Sequence, residues 1–290
     1  MNITMKSFLA LLFVLIISFS AQSQDLLGQL ENQQSHVSKP VTAMFKGTRI
    51  FNGQSIELRG QGNLDVIISH RFGRLNSGGY NFFGLDDSNV RLGLEYAVLD
   101  RLTLGFGRNS VNKVYDGFVK GKLLEQKTIG SPLSIVWMSD MSIYTLKRPE
   151  LNMTFQRRLR YVHQVLLARK FSPGLSLQLM PSLVHHNLVE SESDPNNLAA
   201  LGLGGRVALS KRVSLTGEYY YRFGKDLSGH NSLGIGVDIE TGGHVFQLHF
   251  TNSNEMTPSG FIPSTQGNFF DGDIHFGFNI VRSFTLKHDY

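Results

Sequence analysis

Large apolar side chains recur at a single parity through the last seventeen residues of the chain. They are Ile274, Phe276, Phe278, Ile280, Phe284, Leu286 and Tyr290. Side chains alternate between the two faces of a β-strand, so one face here is apolar and the other polar. A membrane-crossing strand needs about 9–11 residues, whereas strands of soluble domains are usually about five or six residues long. The pattern predicts a long membrane-spanning β-strand that ends the chain on an aromatic ring.

The same period-two alternation recurs along most of the chain, and no segment shows a long helical periodicity. Twelve strands are predicted, near residues 63–72, 89–98, 102–106, 115–123, 135–143, 159–171, 175–183, 201–209, 213–223, 233–239, 246–250 and 274–290. The predicted fold is an all-β, up-and-down antiparallel transmembrane β-barrel of about twelve strands. The segment Val41 to Phe51 is also strand-like, and counting it as a strand would require a further partner strand, so barrels of ten or fourteen strands remain alternatives.

The predicted connections alternate in length, with mostly short ones after even-numbered strands and longer ones after odd-numbered strands. Outer-membrane barrels have short periplasmic turns and longer outer loops, so both termini should lie in the periplasm. The strands of a soluble β-sandwich also alternate between apolar and polar residues, but they are shorter than the strands predicted here, so strand length favours the membrane barrel. Only a closed sheet satisfies every backbone group in lipid, so the first and twelfth strands should pair.

The N-terminus has the features of an export signal. Lys6 precedes the short apolar run Phe8 to Phe19, and Ala21-Gln22-Ser23 supplies small residues at the cleavage positions. Residues 1–23 are therefore predicted to be a signal peptide, residues 24–61 a periplasmic or lumenal segment, and residues 62–290 the barrel. This places the chain in the outer membrane of a Gram-negative-type envelope.

Composition excludes several classes of function. The chain has no cysteine, so it is neither a disulfide scaffold nor a lipoprotein, and it has no thiolate chemistry. The formal net charge is +5, but lysine and arginine are scattered among acidic residues rather than clustered. Nucleic-acid binding requires basic residues gathered on one face, so nucleic acid is not a predicted partner.

Six sequence runs carry a resemblance to a known family. They are F-K-G-T-R-I-F-N-G-Q-S-I-E (45–57), I-S-H-R-F-G (68–73), Y-N-F-F-G-L-D (80–86), R-L-G-L-E-Y (91–96), D-R-L-T-L-G-F-G-R (100–108) and Y-D-G-F (115–118). The chain resembles the family catalogued as domain of unknown function 5777, exported β-barrel proteins of uncharacterised role. The resemblance implies an outer-membrane barrel and supplies no catalytic or ligand-binding residues.

By strand parity, charged residues of both signs line the predicted lumen. They include Arg71, Arg91, Glu95, Lys120, Lys122, Asp140, Arg158, Arg160, Arg206, Glu218, Arg222 and Asp238. One interpretation is a structural lumen held together by ion pairs, because a 12-strand barrel is partly filled by side chains. The other is a narrow pore, in which the basic excess gives a weak preference for anionic small solutes.

Two polar residues interrupt the apolar outer face of the fifth and sixth predicted strands. Folding that hairpin about its loop places Ser139 and His163 about one diagonal apart. This is similar to outer-membrane phospholipases, which carry a serine and a histidine on the lipid-facing wall, and a histidine there can deprotonate the serine. No Asn or Asp at the right parity orients His163, so no catalytic residue is assigned, and a lipid-hydrolysing enzyme is only the alternative function.

The predicted partners follow from the fold. They are outer-membrane lipid and, through the C-terminal strand, the barrel-assembly machinery. A periplasmic or surface partner that binds the Gln24 to Phe51 segment is a third functional class. No metal or cofactor site is predicted: His185 and His186 are neighbours on a strand and point to opposite faces, so they cannot bind one ion together.

Overall fold

A computed structural model describes residues 38–149, 153–189 and 194–286 and folds them as a closed antiparallel β-barrel. The predicted signal peptide and the terminal Tyr290 lie outside the described residues. The strands are β1 (Asn63–Arg74), β2 (Ser88–Leu99), β3 (Leu102–Asn109), β4 (Val114–Leu124), β5 (Ser134–Tyr144), β6 (Leu159–Ser172), β7 (Leu175–His186), β8 (Asn197–Ala208), β9 (Val213–Phe223), β10 (Ser232–Thr241), β11 (His244–Thr251) and β12 (His275–Thr285). The predicted fold class and strand number are confirmed.

Every strand pairs with its two sequence neighbours, and β1 closes the barrel against β12. In the closing pair Leu64 lies opposite Phe284, and Ser69 lies opposite Asn279. The described sheet therefore has no free edge, which is the condition for crossing a membrane with strands.

The connections divide the barrel into two different ends. Only two residues, Asp100 and Arg101, separate β2 from β3, whereas residues 252–274 separate β11 from β12. We call the end with the short connections the turn end and the other the loop end. Short 3₁₀ segments on the loop-end connections span Leu75–Ser77, Gly79–Gly84, Val111–Lys113, Gln156–Arg158 and Phe269–Asp271. The predicted alternation of short and long connections is confirmed.

The two faces of the wall differ, and the inward face is itself divided. Outward side chains are apolar and exposed along most strands, as at Leu92, Leu94 and Phe106. Inward side chains on β1 to β4 are mainly polar or charged. On β5 to β8 many inward side chains are apolar, including Val136, Val162, Leu166, Met180 and Val184. The expectation of a polar lumen thus holds for only part of the circumference.

The segment before β1 enters the lumen from the turn end and folds back on itself. Val41 N donates to Gln126 O on the β4–β5 connection at 2.8 Å. The chain reverses at Asn52 and Gly53, where Ile50 N donates to Gly53 O at 2.9 Å. We call residues 44–57 the plug hairpin; all of its residues are buried except Lys46 and Glu57, which are partly buried. Asn52 and Gly53 therefore form the tip of this hairpin.

The long β11–β12 connection enters the lumen from the loop end. Its short helix α1 (Pro258–Phe261) is fully buried. His186 Nε2 donates to Ser259 O at 2.9 Å, and the Phe261 ring packs edge-on against Tyr220 at 5.0 Å between centroids. The plug hairpin and this loop share one apolar cluster with the β5–β9 wall. No helix in the described part of the chain is long and apolar enough to cross a membrane.

Candidate functional site in the barrel lumen

Most of the charged residues predicted to line the lumen lie on inward strand positions and are buried. They are Arg71, Arg91, Glu95, Lys120, Asp140, Arg160, Arg206, Glu218, Arg222 and Asp238. Lys122 lies near the turn end, partly exposed, and pairs with Glu125 at 3.1 Å. Arg158 lies on the 3₁₀ turn before β6 and not on a strand, and its guanidinium donates to the carbonyls of Tyr144 and Leu146 at 3.1 and 3.0 Å. It therefore supports the β5–β6 loop.

One ion pair belongs to the barrel wall alone. Arg91 on β2 pairs with Asp116 on β4 across the intervening strand β3. The guanidinium reaches over Gly107, where a Cβ would lie only 2.2 Å from Arg91 Nη2. A glycine at this position lets a buried arginine span two strand spacings. This pair fits the structural interpretation of the lumen charges.

The other lumen charges bind the plug hairpin. Arg49 Nε of the hairpin donates to Glu95 Oε1 at 3.0 Å, and both side chains are buried. Lys120 Nζ donates to Thr48 O at 3.2 Å, to Gln54 Oε1 at 3.3 Å and to Glu57 O at 2.7 Å. One lysine of the wall therefore satisfies both arms of the hairpin.

The tip of the hairpin has its own set of partners. Glu218 on β9 accepts from the backbone N–H groups of Asn52 and Gly53 at 3.2 and 3.0 Å. Arg71 on β1 donates to Asn52 Oδ1, and Asn279 on β12 donates to Phe51 O. Hydrogen bonds that involve an ionised group are the stronger ones, so Glu218 and Arg71 fix the turn in position.

Basic side chains bind the base of the segment near the turn end. Arg206 Nη1 donates to Ala43 O and Met44 O, each at 2.8 Å. Lys170 Nζ donates to Thr42 O at 2.9 Å. These donors point at backbone carbonyls, so they hold the chain whatever its side chains are.

Glycines in the wall make room for the apolar residues of the hairpin. A Cβ on Gly204 would lie 2.3 Å from Ile50 Cδ1, and a Cβ on Gly234 would lie 2.6 Å from Phe51 Cε2. Glycine inside a strand is unfavourable by itself and often marks a close approach of another group. These glycines were not predicted to belong to a site, although the glycine-rich run of β8 is visible in the sequence.

A cavity of about 470 Å³ opens at the loop end of the barrel. Its lining includes Arg71, Arg74, Asn89 and His275. At its rim Asp273 accepts from Asn76 Nδ2 at 2.8 Å and pairs with Arg74 at 3.2 Å. The Asn76 hydrogen bond, followed by one from the Asn268 backbone, lowers the pKa of Asp273 below its ordinary value of 3.8.

The proposed serine–histidine pair lies on the lipid-facing wall. Ser139 and His163 are directly opposite each other on β5 and β6, closer than the predicted diagonal. Ser139 Oγ and His163 Nδ1 share a hydrogen bond of 2.5 Å, and Leu183 lies opposite His163 on the other side. Within the described residues no carboxylate or amide is hydrogen-bonded to His163. The nucleophile and base are thus together, but the group that would orient the base is not among their partners.

Strand parity did not single out the residues that hold the tip, among them Gln247, His249 and Asn279. Gln247 Nε2 donates to the carbonyls of Arg49 and Ile50. The one available signal lay in residues 44–51, where Met, Phe and Ile side chains stand in a segment without strand parity. That composition indicates burial against a partner but does not identify the partner.

A family model described as a membrane-bound β-barrel domain, DUF5777, matches residues 45–284, which confirms the resemblance seen in the sequence. The NanC porin is 9% identical with a TM-score of 0.48, and the match covers 78% of this chain and 100% of that one. The KdgM porin is 8% identical, with a TM-score of 0.45 and coverages of 78% and 99%. The outer membrane protein Omp33 of Acinetobacter baumannii is 10% identical with a TM-score of 0.43, and the match covers 77% of this chain and 100% of that one. No curated protein matches the chain at the sequence level.

Proposed function

Because the chain belongs to the DUF5777 family of membrane-bound β-barrel domains, we propose that it is an outer-membrane pore for small solutes that its own plug hairpin closes. The turn end faces the periplasm and the loop end faces outward, as in outer-membrane barrels. The observation that carries the proposal is the position of residues 44–57 inside the lumen, covalently continuous with the segment that enters from the turn end.

The contacts of the hairpin support reversible closure. Lys120, Arg206 and Gln247 donate to its backbone carbonyls, and Glu218 accepts from its backbone N–H groups. Water can replace each of these partners when the hairpin withdraws, because hydrogen bonds in a wet lumen are exchanged rather than lost. The same polar groups then face the open lumen.

A weak anion preference is expected at the loop end of such a pore. Arg71, Arg160 and Arg222 lie on inward positions in that half of the barrel. Farther inside, withdrawal of the hairpin would take Arg49 away from Glu95, so the middle of the open lumen would be less basic than that of the closed lumen. Basic rings favour anions, and mixed charge reduces the preference.

Planar-bilayer conductance tests the proposal. The full chain should be closed for most of the recording, whereas a chain in which residues 44–57 are replaced by a glycine–serine linker should give stable steps with a modest anion preference. Heat-modifiable gel mobility and circular dichroism establish that the shortened chain still forms a barrel. A folded, shortened chain that never conducts would leave only the structural interpretation, and clear cation selectivity would refute the anion preference.

The hydrogen bond between Ser139 and His163 favours hydrolysis of lipid esters as a second candidate function. In the proposed reaction Ser139 Oγ attacks the ester carbonyl while the histidine takes the serine proton. The ester C–O bond then breaks, the histidine returns the proton to the departing alcohol, and water hydrolyses the acyl-serine to the free fatty acid. Purified protein would be assayed on mixed phospholipid–detergent micelles. Activity that Ser139→Ala abolishes and Ser142→Ala preserves would support it, since Ser142 is buried on the inward face of the same strand.

The N-terminal segment also supports a periplasmic partner. A protein that binds residues preceding the hairpin would be placed to pull it toward the turn end, where Val41 enters. Deleting residues 24–37 should leave barrel assembly normal and abolish co-purification of such a partner. Unchanged co-purification would place the binding surface elsewhere.

A further inference from the structure

Four side chains of the wall contact the backbone of the plug hairpin along six consecutive residues. They lie on four different strands, β4, β9, β11 and β12. The contacts, in chain order along the hairpin, are Lys120 to Thr48 O, Gln247 to Arg49 O and Ile50 O, Asn279 to Phe51 O, and Glu218 to the N–H groups of Asn52 and Gly53. The wall therefore binds this stretch through groups that every peptide has.

Two adjacent apolar side chains of the same stretch fill recesses in the wall. Ile50 and Phe51 are 0% and 2% exposed. A Cβ on Gly204 would collide with Ile50, and a Cβ on Gly234 would collide with Phe51, so glycines form the floors of both recesses. The Phe51 ring also stacks on His249, with centroids 5.0 Å apart and planes 11° apart. Withdrawal of the hairpin would leave the two recesses open beside each other.

The groups that bind the hairpin backbone belong to the wall and remain there when the hairpin leaves. The backbone groups of the strands pair within the closed sheet, so side chains have to supply the partners of any segment inside the lumen. Lys120, Gln247, Asn279 and Glu218 are all buried, and buried polar groups need partners. The emptied lumen would thus present donors and acceptors with the spacing of a peptide backbone, next to two apolar recesses.

We propose that the open lumen binds short peptides with two adjacent apolar side chains, and that the plug hairpin occupies this site in the closed state. The four wall side chains would bind the backbone of the incoming peptide, and the two recesses would bind its apolar side chains. A polar solute would leave both recesses empty and bind more weakly. The inference rests on the proposed withdrawal of the hairpin.

The loop-end cavity gives such a peptide a route to the site. Arg71 lines this cavity of about 470 Å³ and also donates to Asn52 at the tip of the hairpin. Asn89 and Asn254 line the same cavity and can bind peptide groups on the way in. A peptide that enters from the loop end therefore meets the tip of the hairpin first and competes with it there.

Isothermal titration calorimetry tests the site with the chain in which a glycine–serine linker replaces residues 44–57. The probe is the acetylated and amidated hexapeptide Thr-Arg-Ile-Phe-Asn-Gly, the sequence of residues 48–53, and it should bind saturably. Its mirror image made of D-amino acids should bind about tenfold or more weakly, as should a peptide with serine in place of isoleucine and phenylalanine, because burial in the recesses is lost. The native chain, whose hairpin occupies the site, should also bind the probe about tenfold or more weakly.

Two pairs of variants in the same shortened chain locate the site. Gln247→Leu removes the donor to two peptide carbonyls and should weaken binding about tenfold or more. Gln164→Leu removes a buried amide that donates to another wall side chain and should leave the affinity unchanged. If Gln247→Leu does not fold, Gly204→Val tests the same site by filling the isoleucine recess, while Gly217→Ala, whose nearest neighbour would be 3.7 Å away, should not change the affinity.

The outcomes separate the peptide site from the pore. No saturable binding to the shortened chain, or equal affinity for the two mirror images, would overturn the peptide site. Saturable binding of the L-peptide alone to a chain that never conducts would refute the pore and leave the site standing, and stable conductance without peptide binding would do the reverse. If the shortened chain does not fold, the full chain with Arg49→Met, which breaks the buried pair with Glu95, should bind the probe more tightly than the native chain, and equal affinity would overturn the site.

Discussion

Replacing Arg49 by methionine should withdraw the plug hairpin from the lumen about a hundred times more often than in the native chain. Arg49 and Glu95 are buried, with 4% and 2% of their side chains exposed, and their side chains lie 3.0 Å apart. Methionine fills much of the same volume without charge. Glu95 would then remain buried near the hairpin without its principal counter-charge.

The magnitude follows from the buried pair. Removing one partner of a buried ion pair costs about 3–5 kcal/mol, because the remaining charge is left uncompensated. Gln54 Nε2 still donates to Glu95 at 3.4 Å, and Lys120 remains near, so the lower end of the range applies. When the hairpin withdraws, water enters and solvates Glu95, so the penalty applies only to the closed state. About 3 kcal/mol corresponds to roughly a hundredfold change in the closed-to-open ratio.

Thiol labelling measures that ratio. The native chain has no cysteine, so Ser55→Cys introduces a single thiol at a fully buried position of the hairpin. In lipid vesicles the rate of reaction with a polar maleimide reports how often the hairpin is exposed. The rate for Arg49→Met with Ser55→Cys should exceed that of Ser55→Cys alone by about two orders of magnitude. Lys122→Met is the control, because Lys122 pairs only with the neighbouring Glu125 near the turn end.

Adding Glu95→Gln tests the cause of the effect. The double variant Arg49→Met, Glu95→Gln contains no uncompensated buried charge from this pair, so the labelling rate should fall back toward the native value. An unchanged rate in Arg49→Met would refute the assignment of this pair to closure. An equally fast rate in the double variant would show that lost packing, rather than lost charge, loosens the hairpin.

Three further predictions test other parts of the molecule. Gly204→Val should raise the labelling rate at the Ser55→Cys position, because even a Cβ there would lie 2.3 Å from Ile50, while Gly217→Ala should leave it unchanged. The hydrogen bond from Asn76 lowers the pKa of Asp273, so ionised Asp273 stabilises the loop-end rim at pH values above its ordinary pKa of 3.8. This stabilisation is lost as the pH falls through the lower pKa of the folded state. Limited proteolysis across that pH range should show increasing cleavage at the rim, whereas Asp273→Asn should be cleaved equally at all pH values. A chain truncated after Phe284 should insert poorly into lipid. It lacks Thr285, which lies opposite Asn63 where β12 closes the barrel against β1, and it lacks the aromatic end. Efficient assembly in a gel-mobility assay would contradict this prediction.

The outward face could be predicted from the sequence because the surrounding lipid imposes the same demand on every strand. Leu92 and Leu94 on β2 share one parity, as do Phe276 and Phe278 on β12, and this parity alone assigns the inside and outside of each strand. Strand number and connection pattern follow from it. The fold class therefore required no knowledge of long-range contacts.

The inward face could not be predicted in the same way because it packs against whatever fills the lumen. Val162 and Leu166 on β6 face inward and pack in the apolar cluster with helix α1 and the plug hairpin. Because the outward side of β6 is also largely apolar, strand parity alone does not show which apolar residues face the lumen. The partners of the hairpin are distant in sequence: Glu218 and Gly53 are 165 residues apart. Strand parity identified Arg71 and Glu218 as inward, but only the folded chain shows that they hold Asn52 and its neighbour.

The plug hairpin is held by both apolar and polar contacts, and the two kinds respond differently when the hairpin withdraws. A segment buried only by apolar side chains gains about 25 cal/mol for each Å² removed from water and would have no compensating partner when withdrawn. The hairpin buries Met44, Phe45, Ile50, Phe51 and Ile56 in this way, and side chains of the wall also form hydrogen bonds with its backbone. Each such bond is worth about 0.5–1.5 kcal/mol net, because water replaces it in the open state. The apolar anchors therefore keep the pore closed at rest, while the exchangeable bonds lower the cost of opening under a pull from the turn end.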